Sequence, residues 1–126
     1  MRLSEAEWQV MKALWRCQPA TVRELIEHLP PDVGWAYTTV KTMLTRLEGK
    51  QAVSERKVKN VSVYEALVTT QAARGSAWST FLNQAFDGAM TPLLHFLVRE
   101  RKLTRKQRRE LAQLLEEEER KDKEGK

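Results

Sequence analysis

The stretch Trp35-Ala-Tyr-Thr-Thr-Val-Lys-Thr-Met-Leu-Thr-Arg-Leu47 combines a helical period with an unusual choice of polar residues. Val40, Met43, Leu44 and Leu47 recur at i, i+3, i+4 and i+7, which fixes a single buried stripe. The other side carries Thr38, Thr39, Lys41, Thr42, Thr45 and Arg46. β-Branched threonine is a mediocre helix former, and stability alone would favour Glu, Lys and Gln on an exposed face. Short hydroxyls donate to phosphates and their methyl groups pack on thymine, while Lys and Arg reach phosphate or guanine. The segment therefore reads as a helix suited to a DNA groove. Trp35 stands just ahead of it, placed either to pack beneath the helix or to set its indole edge against the DNA backbone.

Two short strands follow, Ala52 to Lys57 and Val61 to Leu67, rich in β-formers and joined by the turn Val58-Lys59-Asn60. Between Trp35 and Asn60 the six cations Lys41, Arg46, Lys50, Arg56, Lys57 and Lys59 face only Glu48 and Glu55, leaving +4 of the chain's net +5 in one fifth of its length. Such a concentration is expected where phosphates are neutralised. Arg56, Lys57, Lys59 and Asn60 are the hairpin's candidate DNA contacts.

Two helices precede this unit. Ser4-Glu-Ala-Glu7 is a capping box, flanked by Leu3 and Trp8 as a hydrophobic staple, so the first helix starts at about Glu5. Its expected core side is Trp8, Met11, Leu14 and Trp15, and Gln18-Pro19 ends it. Thr21-Val-Arg-Glu24 repeats the capping pattern and opens a second helix with Val22, Leu25, Ile26 and Leu29 inward, stopped by Pro30-Pro31. Helix, turn, Thr-rich helix and hairpin wing make residues 1–68 a winged helix-turn-helix.

The order Leu3-Ser-Glu-Ala-Glu-Trp-Gln-Val-Met-Lys-Ala-Leu-Trp15, then Thr21 to Leu29, then Trp35 with Thr39-Val-Lys-Thr-Met-Leu-Thr-Arg-Leu47, resembles the BlaI/MecI/CopY family of bacterial transcriptional repressors, also called the penicillinase repressor family. The resemblance covers nearly the whole chain. It implies a dimeric winged-helix repressor that binds a palindromic operator and is released by an antibiotic or metal signal.

Residues 69–126 read as a helical dimerisation region, so the fold class is mainly α with a small β-hairpin. Ala73, Ala77, Trp78, Phe81, Leu82, Ala85 and Phe86 form a broad apolar face broken at Asp87-Gly88, and Pro92 to Val98 a shorter apolar helix with Pro92 in its first turn. Thr104 to Gln107 is a third capping box; the helix it opens carries Leu111, Leu114 and Leu115 and is expected to fray at Glu116 to Glu119. Three such helices cannot wrap a core of their own, and an apolar surface this large finds a partner chain. The candidate dimer residues are Trp78, Phe81, Leu82, Phe86, Leu93, Leu94, Phe96, Leu97, Leu111, Leu114 and Leu115. The cations Arg99, Arg101, Lys102, Arg105, Lys106, Arg108 and Arg109 read as a solvated connector and first turn pairing with Glu100, Glu110 or the Glu116 block, in the same chain or its partner.

No run of about 18 apolar residues is present, and Met1-Arg2 leads straight into a capped helix, so a cytoplasmic protein is expected. The single Cys17 excludes an internal disulfide or a cysteine-cluster metal site, and copper-responsive relatives carry paired Cys-x-Cys motifs absent here. Cys17 reads as an inert thiol, His28 as a partner of the last carbonyls of its helix, and His95 as a packed or interface histidine, so neither a cofactor nor a metal is expected. With no nucleophile–base constellation and no Gly-rich phosphate loop, the chain does not read as an enzyme. The competing class is a winged helix whose cationic face meets an acidic protein. The resemblance also implies a sensor protease that cuts an Asn-Phe bond in the penultimate helix. The comparable segment, Leu93 to Val98, contains no Asn; His95-Phe96 and Phe96-Leu97 stand in its place.

Overall fold

A computed structural model describes residues 2–125. Along the chain run α1 (Glu5–Cys17), α2 (Val22–Glu27), α3 (Tyr37–Gly49), β1 (Val53–Val58), β2 (Val61–Ala66), α4 (Thr70–Phe86), α5 (Met90–Arg99) and α6 (Arg105–Glu124). The chain divides into two compact units, Met1–Thr80 and Phe81–Lys126.

In the first unit both expected capping boxes close. Ser4 Oγ accepts from Glu7 N–H while Glu7 Oε1 accepts from Ser4 N–H, and Thr21 and Glu24 repeat the exchange. Each box satisfies two donors that a helix start leaves orphaned. The core is built from Val10, Met11 and Leu14 of α1, Val22 and Leu25 of α2, Val40, Leu44 and Leu47 of α3, and Val53 and Tyr64 of the hairpin. The buried stripe of α3 is the one its periodicity predicts.

Three expectations need correction. Trp8 and Trp15 are half-buried at the margin of the core, their rings 6.2 Å apart, and Val10 occupies the deep position instead. Trp15 lies at the margin because its Nε1–H donates to Val68 O at 3.0 Å, a partner that a polar indole edge needs. α2 ends at Glu27 rather than at Leu29, since His28 and Leu29 tighten into i→i−3 hydrogen bonds before Pro30. β1 and β2 pair antiparallel from Val53↔Ala66 to Val58↔Val61, so β1 is shifted by one residue at both ends of its expected span, Val58 joins the strand rather than the turn, and β2 stops one residue before Leu67. Beyond the hairpin itself, Ala20 and Tyr64 exchange backbone hydrogen bonds of 3.0 and 2.7 Å, so the segment between α1 and α2 bridges to the wing. Together α2, the turn, α3 and this anchored hairpin are a winged helix.

In the second unit Leu93 is buried, Phe81 and Phe86 meet edge to face at 5.9 Å, and Lys102 Nζ lies 5.8 Å from the centroid of the Phe96 ring. Asp87 and Gly88, both at positive φ, end α4 as the sequence predicts. The Thr104 capping box forms. α6 does not fray at Glu116; it continues to Glu124 with every described residue exposed. Glu116, Glu117 and Glu119 each stand four residues before Arg120, Lys121 and Lys123, a spacing that favours a helix, and Lys121 Nζ stands 3.5 Å from Glu118 Oε1 one turn back. Among the described residues none of the cations from Arg99 to Arg109 pairs with Glu100, Glu110 or the Glu116 block within the chain.

Candidate nucleic-acid interface

The turn into α3 passes through Gly34 at φ +60, a backbone conformation that L side chains resist. It then delivers Trp35, half-buried against the core. That contact matches the first of its two expected placements, and the rest of the indole stays exposed. Because Val40, Met43, Leu44 and Leu47 are sequestered, Thr38, Thr39, Thr42, Thr45 and Arg46 are presented together on the exposed side of α3. Thr42 Oγ1–H donates to Thr38 O at 2.9 Å and Thr45 Oγ1–H to Lys41 O at 3.0 Å. With their protons committed to the preceding turn, these two threonines offer methyl groups and lone pairs rather than free donors.

Lys41 is the exception on this helix. It is only partly exposed; its ammonium donates to Tyr64 Oη at 2.7 Å and sits 5.3 Å from the centroid of the same ring. The Tyr64 hydrogen bond raises the Lys41 pKa above its ordinary value against the opposing effect of burial, so Lys41 stays charged.

Strand alternation sorts the wing cations. Glu55 and Lys57 lie on the face of β1 that pairs with Tyr64 and Ser62, whereas Arg56, opposite Val63, lies on the other. Lys57 Nζ donates to Ser62 Oγ at 2.9 Å and stands 3.6 Å from Glu55; Ser62 Oγ–H donates to Glu55 Oε1 at 2.6 Å. That Ser62 bond holds the Glu55 carboxyl below its usual range. At the tip, Lys59 and Asn60 have φ of 50 and 66, the two central residues of a two-residue hairpin turn that requires positive φ at both. Asn suits that conformation; Lys pays about 1 kcal/mol for it. Among the described residues no side-chain hydrogen bond or ion pair of Lys59 offsets that cost, and the residue is exposed beside the half-exposed Val58 and Val61.

Sequence reasoning missed Arg23 and Tyr37. With Lys41, Lys57, Asn60 and Ser62 they line a cleft of ≈ 450 Å³ between the starts of α2 and α3 and the wing. Only their proximity in the fold reveals them, since Arg23 reads in sequence as an ordinary exposed helix residue. Elsewhere, His28 Nδ1 lies 3.0 Å from Glu24 O, and Cys17 Sγ–H donates to Ala13 O, its pKa pushed up by burial.

A helix with an unburied threonine and cation face, set beside a cationic two-stranded wing, defines a winged-helix module of the kind that reads a groove. Residues 3–117 match the model of the penicillinase repressor family, and the chain belongs to that family. It is 26% identical over 113 residues to the methicillin resistance regulatory protein MecI of Staphylococcus aureus (strain N315), covering 90% of this chain and 92% of that protein. The penicillinase repressor of Bacillus licheniformis is 29% identical over 116 residues, 92% of this chain and 91% of that one. The solution structure of the DNA binding domain of the repressor BlaI is 33% identical, covering 55% of this chain and 84% of that one with a TM-score of 0.49. Among the described residues no helix is long and apolar enough to cross a membrane.

Proposed function

We propose that this protein is a transcriptional repressor that binds a palindromic operator as a homodimer and is released by a stress signal of the antibiotic or metal type. One observation carries the reading: the exposed face of α3 is made of residues that do nothing for the fold. Thr38, Thr39, Thr42, Thr45 and Arg46 face away from the core, and Lys59 occupies a turn position that a less costly residue would fill. Residue choices that oppose local stability mark functional surfaces. The membership of a family whose named relatives are repressors supports the same conclusion.

Homodimerisation through the region from about residue 69 onward rests on exposed apolar side chains. Leu94, Leu114 and Leu115 are 50–57% exposed, and Trp78, Phe81 and Phe96 are nearly as open. Leu93 is already buried within the single chain and contributes less to this surface. A two-fold axis then presents two copies of α3 to half-sites spaced by roughly 10 base pairs or a multiple. Selection of duplexes from a random pool, followed by footprinting, tests this: enrichment of an inverted repeat with that spacing is expected. Recovery of no preferred sequence, alongside capture of an acidic protein by the same α3 face, would overturn it.

A further inference from the structure

We propose that the cleft between α2, α3 and the wing seats one phosphate of the DNA backbone flanking the base-reading face, with Lys41 as its preset ligand. The inference rests on the DNA-binding reading above and deepens it. Arg23, Lys41 and Lys57 line the cleft together with Tyr37, and no Asp or Glu is among its lining residues. Glu55 stands near, but Ser62 and Lys57 engage it, so it offsets one cation and leaves a net positive site for an anion. Phosphate contacts of this sort fix the register of a protein on the duplex while leaving sequence to other residues.

Lys41 supplies the directional part of the argument. Its ammonium has three donors, of which Tyr64 Oη takes one. Tyr64 is itself immobile: its side chain is buried and its N–H and C=O are both bonded to Ala20. A held ammonium gives up little rotamer freedom when it meets an anion, which favours binding a fixed phosphate. The same tether shortens its reach along the groove, so of the two targets open to a lysine on this face, phosphate or guanine, Lys41 takes the phosphate. The cleft is open to solvent and roomy, which suits a diester continuing on both sides.

A scan of single methylphosphonate replacements along a selected duplex tests this, using wild type, Arg23→Gln, Tyr37→Phe and Lys41→Met, with circular dichroism to verify folding. One neutral phosphate per half-site should weaken the wild type about tenfold, the scale of one charge-assisted hydrogen bond, and should weaken Arg23→Gln little further. Arg23→Gln and Lys41→Met should each lower affinity for all duplexes alike and flatten log K against log salt by about one unit. Losses from Arg23→Gln and every methylphosphonate that simply multiply, or a changed base preference in Lys41→Met, would overturn the assignment. So would tight binding of inorganic phosphate by the cleft with a silent scan, which would make the site one for a free ion. Wild type that binds no duplex at all would sink the functional reading and this inference with it.

Discussion

Replacing Lys50 with Met removes the partner of a buried charge and so tests how the reading helix is held. Glu7, in the first turn of α1, is 4% exposed, and its Oε1 accepts from Lys50 Nζ at 2.7 Å as well as from Ser4 N–H at 2.9 Å. Oε2 is buried without a hydrogen-bond partner. Lys50 caps the C-terminus of α3 and also donates to Arg2 O at 2.7 Å, so the pair ties the start of α1 to the end of the reading helix. Breaking a fully buried pair costs about 3–5 kcal/mol, and exposed pairs contribute about 0–1. The Lys50 side chain is 37% exposed, so water screens one end, and about 2 kcal/mol at pH 7 is expected. That corresponds to a drop in Tm of roughly 10 °C for a domain this small.

The pH dependence follows from the same geometry. Burial pushes the Glu7 carboxyl up, but the Lys50 hydrogen bond and the Ser4 bonds outweigh it and hold the group below its ordinary 4.5. A carboxyl with a depressed folded pKa contributes stability that is present above its unfolded pKa and is lost as pH falls through the folded value. Without Lys50, burial is opposed only by the Ser4 bonds and the folded pKa rises. The penalty of Lys50→Met should therefore be largest near neutrality and shrink below about pH 4 as Glu7 protonates in both proteins. Adding Glu7→Gln should recover part of the loss, since Gln still accepts from Ser4 N–H and leaves no buried charge. Urea denaturation followed by circular dichroism between pH 3.5 and 7 measures all three proteins. A penalty independent of pH, or a double variant less stable than Lys50→Met, would refute the argument.

Three further outcomes follow from the interface. Because the Thr42 proton is spent on Thr38 O, Thr42→Val should alter operator preference less than Thr42→Ser, which loses the methyl; base-pair discrimination in the latter should fall by about 1–3 kcal/mol in competition binding. Lys59→Gln at the wing tip should weaken specific and random duplexes equally and reduce the salt slope by about one, and a shifted base preference would contradict it. Trp78→Ala with Phe81→Ala should yield monomers with an intact winged helix by light scattering, whereas a dimeric double variant would remove these residues from the interface.

Local chemistry was legible in the sequence where a few neighbouring residues decide it. The three capping boxes at Ser4, Thr21 and Thr104, the stop at Asp87-Gly88 and the buried stripe of α3 all depend on spacings of five residues or fewer or on a simple period. What escaped depends on contacts between distant segments. Nothing near Ala20 announces that it will bridge to Tyr64, nor near Gln18 that its side chain will accept from Ala66 N–H at 2.7 Å. Val10 displaced Trp8 from the deep core because an indole carries a donor and bulk that fit a margin better. The interface divided in the same way. The exposed threonines of α3 follow from its period, whereas the tether of Lys41 and the approach of Arg23 to the wing exist only once the hairpin folds back.

The two halves of the chain differ in how their apolar residues are used, and that difference bears on release from the operator. In α1 to α3 and the hairpin, the stripes are consumed by a closed core, so the reading head needs no partner to hold its shape. In α4 to α6 only Ala73 and Leu93 are buried, and the leucines of α6 stay open. If a second copy covers that surface, linkage of two heads makes the second half-site contact intramolecular and raises affinity by roughly 10²–10⁴ without any new DNA contact. The signal then has no need to reach α3. An event that uncouples the dimer forfeits that factor while leaving each head folded and charged as before, and a single head holds one half-site by the contacts of α3 and the wing alone. Truncation after Thr80, which keeps Val68 as the partner of Trp15 and the whole first unit, mimics that event: affinity for a palindromic site should fall by about that factor, affinity for an isolated half-site should hardly change, and equal affinities of both proteins for the palindrome would show that the linkage does not supply it.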